Sequence, residues 1–137
     1  MIGIVITTHS HLGEALIEAA KFIIGNQPEM TVPVSINLDE DAEQLRKKIA
    51  KGIKQVNQKD GVLILTDMFG GTPSNLSYSF LEEGRIEVLS GVNLPILIKA
   101  LNSRKKMSLD ELATTLETFG KKSISLASGI LKGNKRA

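Results

Sequence analysis

The chain contains no cysteine, which excludes disulfide staples, thiol nucleophiles and thiolate metal sites and leaves any covalent chemistry to His, Ser, Thr, Lys or a carboxylate. Aromatic residues are scarce as well, 4% against 42% hydrophobic residues, so the core must be built mainly from Ile, Leu, Val and Ala. Such a core suits helices layered on a parallel sheet. No apolar run approaches the ~18 residues of a membrane span. The apolar start at residues 2–6 is too short for a signal peptide and has no basic flank. These absences predict a cytoplasmic protein. Charge of one sign is missing too: 17 Lys and Arg against 15 Asp and Glu leave a formal net charge of +2, too little to argue for nucleic acid.

What is present is an alternation of strands and helices within a length, 137 residues, that suits one domain spanning the whole chain. Residues 2–7 form a β-branched run, and Leu12, Ala15, Leu16, Ala19, Ala20, Ile23 and Ile24 then follow helical spacing. Residues 30–36 read as a second strand, which Pro33 assigns to a sheet edge. Asp39, Glu40 and Asp41 place negative charge at the start of a second helix with the buried stripe Ala42, Leu45, Ile49, Ile53 and Val56. Residues 62–66 are apolar up to the final threonine, as expected of a central strand covered on both faces. After Gly70-Gly71, Thr72 is expected to cap a helix whose first residue is Pro73. Residues 86–89 give a fourth strand, followed by a helix to about Asn102. Ser108 and Glu111 form a capping box for a further helix ending near Gly120, and residues 123–127 read as a last short strand. The pattern implies an α/β fold: a single-domain, doubly wound, mostly parallel sheet with helices on both faces. From about residue 130, Lys132, Lys135 and Arg136 make a basic tail that reads as a solvated, frayed end.

Open α/β sheets bind ligands beyond the carboxyl ends of their strands, where strand order reverses. Thr8-His9-Ser10 follows the first strand, residues 67–75 the third and residues 90–93 the fourth. In a flavodoxin-like order the first and third strands are neighbours, and His9 faces Asp67. Gly70 and Gly71 let the backbone approach a ligand, and the helix beginning at Pro73 offers N–H groups for phosphate. Plainer readings stand beside these: His9 as a surface residue, Asp67 as a turn residue, residues 70–75 as a mere strand-to-helix turn. The segment is neither a P-loop nor a GxGxxG turn, and no lysine follows it, which disfavours nucleotides. A metal site from His9, His11 and Asp67 is disfavoured because one histidine ends a strand while the other starts a helix. No GxSxG elbow surrounds Ser10 or Ser74.

Ile4-Val5-Ile6-Thr7-Thr8-His9-Ser10, then residues 61–75 with the stretch DMFGGTPSN, then Gly91-Val92-Asn93-Leu94-Pro95, resemble in order and spacing the signature segments of mannose-family enzyme IIA domains of the phosphotransferase system. The resemblance covers about residues 1–120. It implies that His9 accepts a phosphoryl group from the histidine-containing phosphocarrier protein and passes it to an enzyme IIB, with Asp67 as the hydrogen-bonding carboxylate. Asp67 would take the Nδ1 proton and leave Nε2 as the nucleophile. Gly71, Thr72 and the N–H groups around Ser74 and Asn75 would hold the phosphate oxygens. No metal, nucleotide or other cofactor is implied, because the donor is already an activated phosphohistidine. Contact with a membrane would be indirect, through a permease.

Related proteins pair, so a homodimer is expected, with residues 123–127 adding a strand to a partner's sheet edge. Two alternatives keep the fold. One is a regulatory module whose phosphorylation reports the state of the relay. The other is the phosphoryl-transfer subunit of dihydroxyacetone kinase, which departs from the GGTPSN motif. A phosphate-ligand enzyme without relay partners is a third possibility of a different class.

Overall fold

The computed structural model describes residues 1–132; Lys135 and Arg136 of the expected basic tail lie outside them. β1 (Gly3–His9) leads into α1 (Leu12–Ile24), β2 (Thr31–Ile36) into α2 (Ala42–Val56), β3 (Val62–Thr66) into α3 (Thr72–Tyr78) and β4 (Ile86–Ser90) into α4 (Leu94–Ser103). α5 (Leu109–Lys122) and the short α6 (Ala127–Leu131) follow. All four strands run parallel in the order β2-β1-β3-β4. β1 and β3 are therefore central neighbours, in register from Gly3 opposite Val62 to Thr7 opposite Thr66.

Side chains of a strand alternate between faces, and the two central strands feed two cores. Ile4, Ile6, Leu63 and Leu65 point into a layer closed by α1, α4 and α5, where Ile17, Leu97, Leu112 and Leu116 meet them. Val5, Val62 and Ile64 point the other way, against Leu45, Ile49, Ile53 and Val56 of α2. The continuous apolar run of β3 is thus explained by helices on both sides. Pro33 sits in β2 at the sheet edge, and Lys48 Nζ donates to the Ser35 carbonyl of the same strand at 2.7 Å. A missing donor and a covered acceptor both discourage strand addition there.

Two helices open on capping boxes, and that of α5 is the expected one. Asp41 accepts from Gln44 N at 2.8 Å while Gln44 Oε1 accepts from Asp41 N at 3.1 Å, and Ser108 and Glu111 make the same reciprocal box. The backbone N–H of Ser108, and then its hydroxyl, hold the Glu111 carboxyl below its ordinary pKa.

Three expectations are corrected. Gly71, not Thr72, is the N-cap of α3, so Thr72 is its first residue and Pro73 its second. Pro73 fits there because the second N–H of a helix also has no partner within the helix. α5 runs past Gly120 to Lys122, because Gly120 is a close-packing position: a Cβ there would lie 2.6 Å from Ile96 Cδ1. Among the described residues, 123–126 pair with no strand, and Ala127 opens α6. Ile124 and Leu126 have the alternation of a strand, but they are 80% and 77% exposed.

Arg104, just beyond α4, is only 5% exposed. Its Nη1 donates to Thr31 Oγ1 at 3.0 Å and to the Ile2 and Met30 carbonyls at 3.4 Å, and its Nη2 to the Glu29 carbonyl at 2.5 Å. Burial lowers the guanidinium's pKa, partly opposed by the charge of Glu29. One side chain thus closes the amino end of the sheet. Arg104→Met keeps most of the stem's bulk but removes these donors, leaving the Glu29 carbonyl with Thr31 Oγ1 and the Met30 carbonyl with Ile4 N, at ~1–3 kcal/mol for a buried group that loses its partner. We expect a total loss of about 3 kcal/mol, read as a lower urea midpoint at unchanged slope.

Candidate active site

His9 is the last residue of β1, and the chain leaves the sheet immediately after it. Ser10 turns through a left-handed conformation, φ 51°, while its N–H still reaches the Ile36 carbonyl at 3.1 Å. Thr8 Oγ1 accepts from Gly13 N at 2.9 Å and so ties the start of α1 to the end of the strand. His9 is held from the strand below and from the turn above.

Asp67 follows β3 directly, and the β1–β3 pairing sets it beside His9. Its Oδ2 accepts from His9 N at 2.9 Å and lies 2.8 Å from His9 Nδ1, while Oδ1 accepts from Met68 N at 3.0 Å. An ionised carboxylate can only accept, so the proton of the contact is on Nδ1 and the lone pair of the neutral ring is on Nε2. The carboxylate is well covered, at 10% exposure, whereas the imidazole is 40% exposed. The pair is anchored on its acid side and open on its basic side.

Gly71 closes over the ring. A Cβ there would lie 2.8 Å from His9 Cε1 and 3.3 Å from Nε2, so the close approach requires glycine. Thr72, exposed, follows at the first position of α3. The Asn75 N–H already bonds the Gly71 carbonyl at 2.9 Å, and Pro73 has none, which leaves Thr72 and Ser74 as first-turn donors without an acceptor inside the helix. The Ser74 side chain is fully buried and points away from His9: its hydroxyl donates to the Met68 carbonyl and lies 2.5 Å from Thr66 Oγ1.

His9, Asp67 and Gly71 therefore come together, with the start of α3 following directly. His11 does not join them, and its Nδ1 lies 3.5 Å from Glu14 Oε2 on the exposed start of α1. Asn93 caps α4, accepting from Ile96 N at 2.9 Å. Sequence reasoning passed over the loop after β2, where Asn37, Leu38 and Asp39 line an open depression together with His9, Ser10 and Ile36. The rule that led to the other strand ends applies equally to this one. Among the described residues no helix is long and apolar enough to cross a membrane.

Comparison with known proteins gives the family. Residues 3–117 match the EIIA-man family, described as the PTS system fructose IIA component. The PTS system fructose-specific EIIA component of Bacillus subtilis is 33% identical over 100% of this chain and 94% of its own length. The mannose-specific EIIAB component of Escherichia coli is 33% identical over 90% of this chain, which spans 38% of that longer protein. Among solved structures, phosphotransferase system component EIIA from Streptococcus agalactiae superposes with a TM-score of 0.83 at 28% identity, covering 93% of this chain and 98% of that one. The chain belongs to the EIIA-man family and is a phosphoryl-carrying IIA component of a phosphotransferase system.

Proposed function

We propose that His9 is the phosphoryl carrier, charged on Nε2 by the histidine-containing phosphocarrier protein and discharged to an enzyme IIB. The observation that carries this reading is the Nδ1 contact to Asp67 at 2.8 Å on a ring that remains 40% exposed. In the transfer, the P–N bond to the donor imidazole breaks as a P–N bond to Nε2 forms. The Nδ1 proton stays on the His9 ring, and Asp67 stabilises the positive charge the ring acquires. The phosphate oxygens are taken by Thr72, by the N–H groups around Gly71 and Ser74, and by the Asn75 side chain. The Asn75 amide sits within reach of this turn, 3.4 Å from the Gly70 carbonyl.

Exposed apolar side chains near the histidine support a protein as donor. Leu38, Met68 and Phe69 are 85%, 53% and 78% exposed on the loops at this end of the sheet. Apolar residues at a polar edge of this kind fit a transient protein contact. The place of work is the cytoplasm, and the pathway is sugar uptake through a separate permease. Incubation with phosphoenolpyruvate, enzyme I and the phosphocarrier protein should add one phosphoryl group by intact mass, and a cognate enzyme IIB should remove it. Equal labelling without the phosphocarrier protein would refute the relay.

Two further outcomes follow. Gly71→Ala should push the ring off Asp67 and slow the transfer by about tenfold or more, since a misplacement of ~1 Å can cost on the order of 10²-fold. A wild-type rate would show that Gly71 does not set the ring. We also propose a homodimer. Residues 123–126 belong to no helix or strand, Leu126 is 77% exposed, and β4 is an edge strand of the sheet. Beside β4 of a partner this segment would extend the sheet by one strand. Light scattering at micromolar concentration should give twice the monomer mass, and a monomer alone would refute it.

A further inference from the structure

Behind the loop that carries Asp67 lies a cluster of hydroxyl groups with no part in the transfer described above. Ser74 is fully buried, and its one proton goes to the Met68 carbonyl, which can only accept. Thr66 Oγ1 lies 2.5 Å from Ser74 Oγ. Thr66 Oγ1 lies 2.9 Å from Ser90 Oγ, Ser74 lies 3.2 Å from the same atom, and Tyr78 OH reaches it at 2.8 Å. Four hydroxyls from β3, α3 and β4 thus end on a single backbone carbonyl.

That carbonyl belongs to the residue whose N–H is held by Asp67 at 3.0 Å. Met68 is gripped on one side by the carboxylate and on the other by Ser74. Shifting the Met68 backbone, whose carbonyl and N–H lie in successive peptide groups, shifts Asp67, whose other oxygen holds both the N–H and the Nδ1 of His9. Tyr78 adds a second hold, its ring 6.2 Å from that of Phe69, the next residue of the loop. A polar network of this kind, buried at Ser74 and Thr66 and half-buried at Tyr78 and Ser90, is rigid while complete and costly when broken.

We infer that Ser74 is a positioning residue for the His9–Asp67 pair, acting through the Met68 peptide, and that Thr66, Ser90 and Tyr78 hold Ser74 in that role. The hydroxyl of Ser74 is a strut inside the protein and not a phosphate ligand, although its N–H remains available on the other side. The kinetic part of this inference rests on the carrier reading of His9. The structural part does not.

The test uses ¹⁵N-labelled full-length protein carrying Ser74→Ala or Tyr78→Phe. The His9 Nδ1–H resonance is read in the unphosphorylated state, so its behaviour is independent of whether His9 carries phosphate. Ser74→Ala should shift that resonance or lose it to exchange with water. In transfer from the phosphocarrier protein, kcat should fall about tenfold, within the range a misplaced group allows. Tyr78→Phe, which keeps the ring against Phe69 and removes only the hydroxyl, should shift the resonance in the same direction by less. If Ser74→Ala does not fold, Tyr78→Phe decides alone. A wild-type Nδ1–H resonance and kcat in the folded variants, whatever their melting temperatures, would overturn the inference and leave the cluster as packing.

Discussion

His9→Ala should abolish phosphorylation of the protein, and His11→Ala should keep most of it. The two rings are separated by one residue in sequence but differ in every feature the chemistry needs. His9 ends a central strand with its Nδ1 on a covered carboxylate and its Nε2 beside the Gly71 backbone. His11 lies at the solvent-exposed start of α1, 73% exposed, with Glu14 Oε2 at 3.5 Å. A pair so open to water neither fixes a tautomer firmly nor lies next to donors for phosphate oxygens. The fold should survive both changes, since the His9 ring is at the mouth of the site and not in either core. Labelling with the phosphocarrier relay, followed by intact mass, checks it. Residual uptake by His9→Ala at more than a trace would place the phosphoryl group elsewhere.

Asp67→Asn should lower the transfer rate on the order of 10²-fold with little effect on the fold, a loss typical of a removed or misassigned acid–base partner. The amide has two orientations, and each fails differently. With its oxygen at the Oδ2 position it keeps both bonds to His9, but its NH₂ then meets the Met68 N–H and the negative charge is gone. The ring then acquires positive charge, as Nε2 bonds phosphorus, with no counter-charge beside it. With the amide reversed, its NH₂ faces both the His9 N–H and Nδ1, and the tautomer that leaves Nε2 protonated is favoured. Stopped labelling reactions over a time course measure the rate. An unchanged rate would mean that Asp67 serves only the turn.

The strand and helix pattern was legible because each element faces a different number of covered sides. β3 is apolar throughout because helices cover both faces, α2 shows one stripe because it lies on one face, and Pro33 marks the edge because an inner strand has no place for it. The neighbourhood of His9 and Asp67 followed from the topology alone. Other features depend on contacts that no local pattern encodes. Arg104 looks like a surface cation at a helix end, yet its acceptors come from Ile2 and from residues 29–31, far away in the chain. Gly120 looks like a helix stop because glycine commonly is one, but here the missing side chain makes room for Ile96. The inward turn of Ser74 depends on Thr66, Ser90 and the Met68 carbonyl meeting behind α3. Residues 123–127 were read as a strand from their apolar content, but a strand also needs a pairing strand, and among the described residues, 123–126 pair with none.

The most direct test of the account is where the phosphoryl group sits and what bond holds it. The protein is phosphorylated through the relay, and the product is split between acid, base and neutral buffer before intact mass is read. A ³¹P and ¹⁵N spectrum of the neutral sample then locates the P–N bond on the ring. The account predicts a label lost in acid and kept in base, with phosphorus on Nε2 of His9 and a proton retained on Nδ1 beside Asp67. A label that survives acid, or phosphorus on any atom other than His9 Nε2, would contradict it.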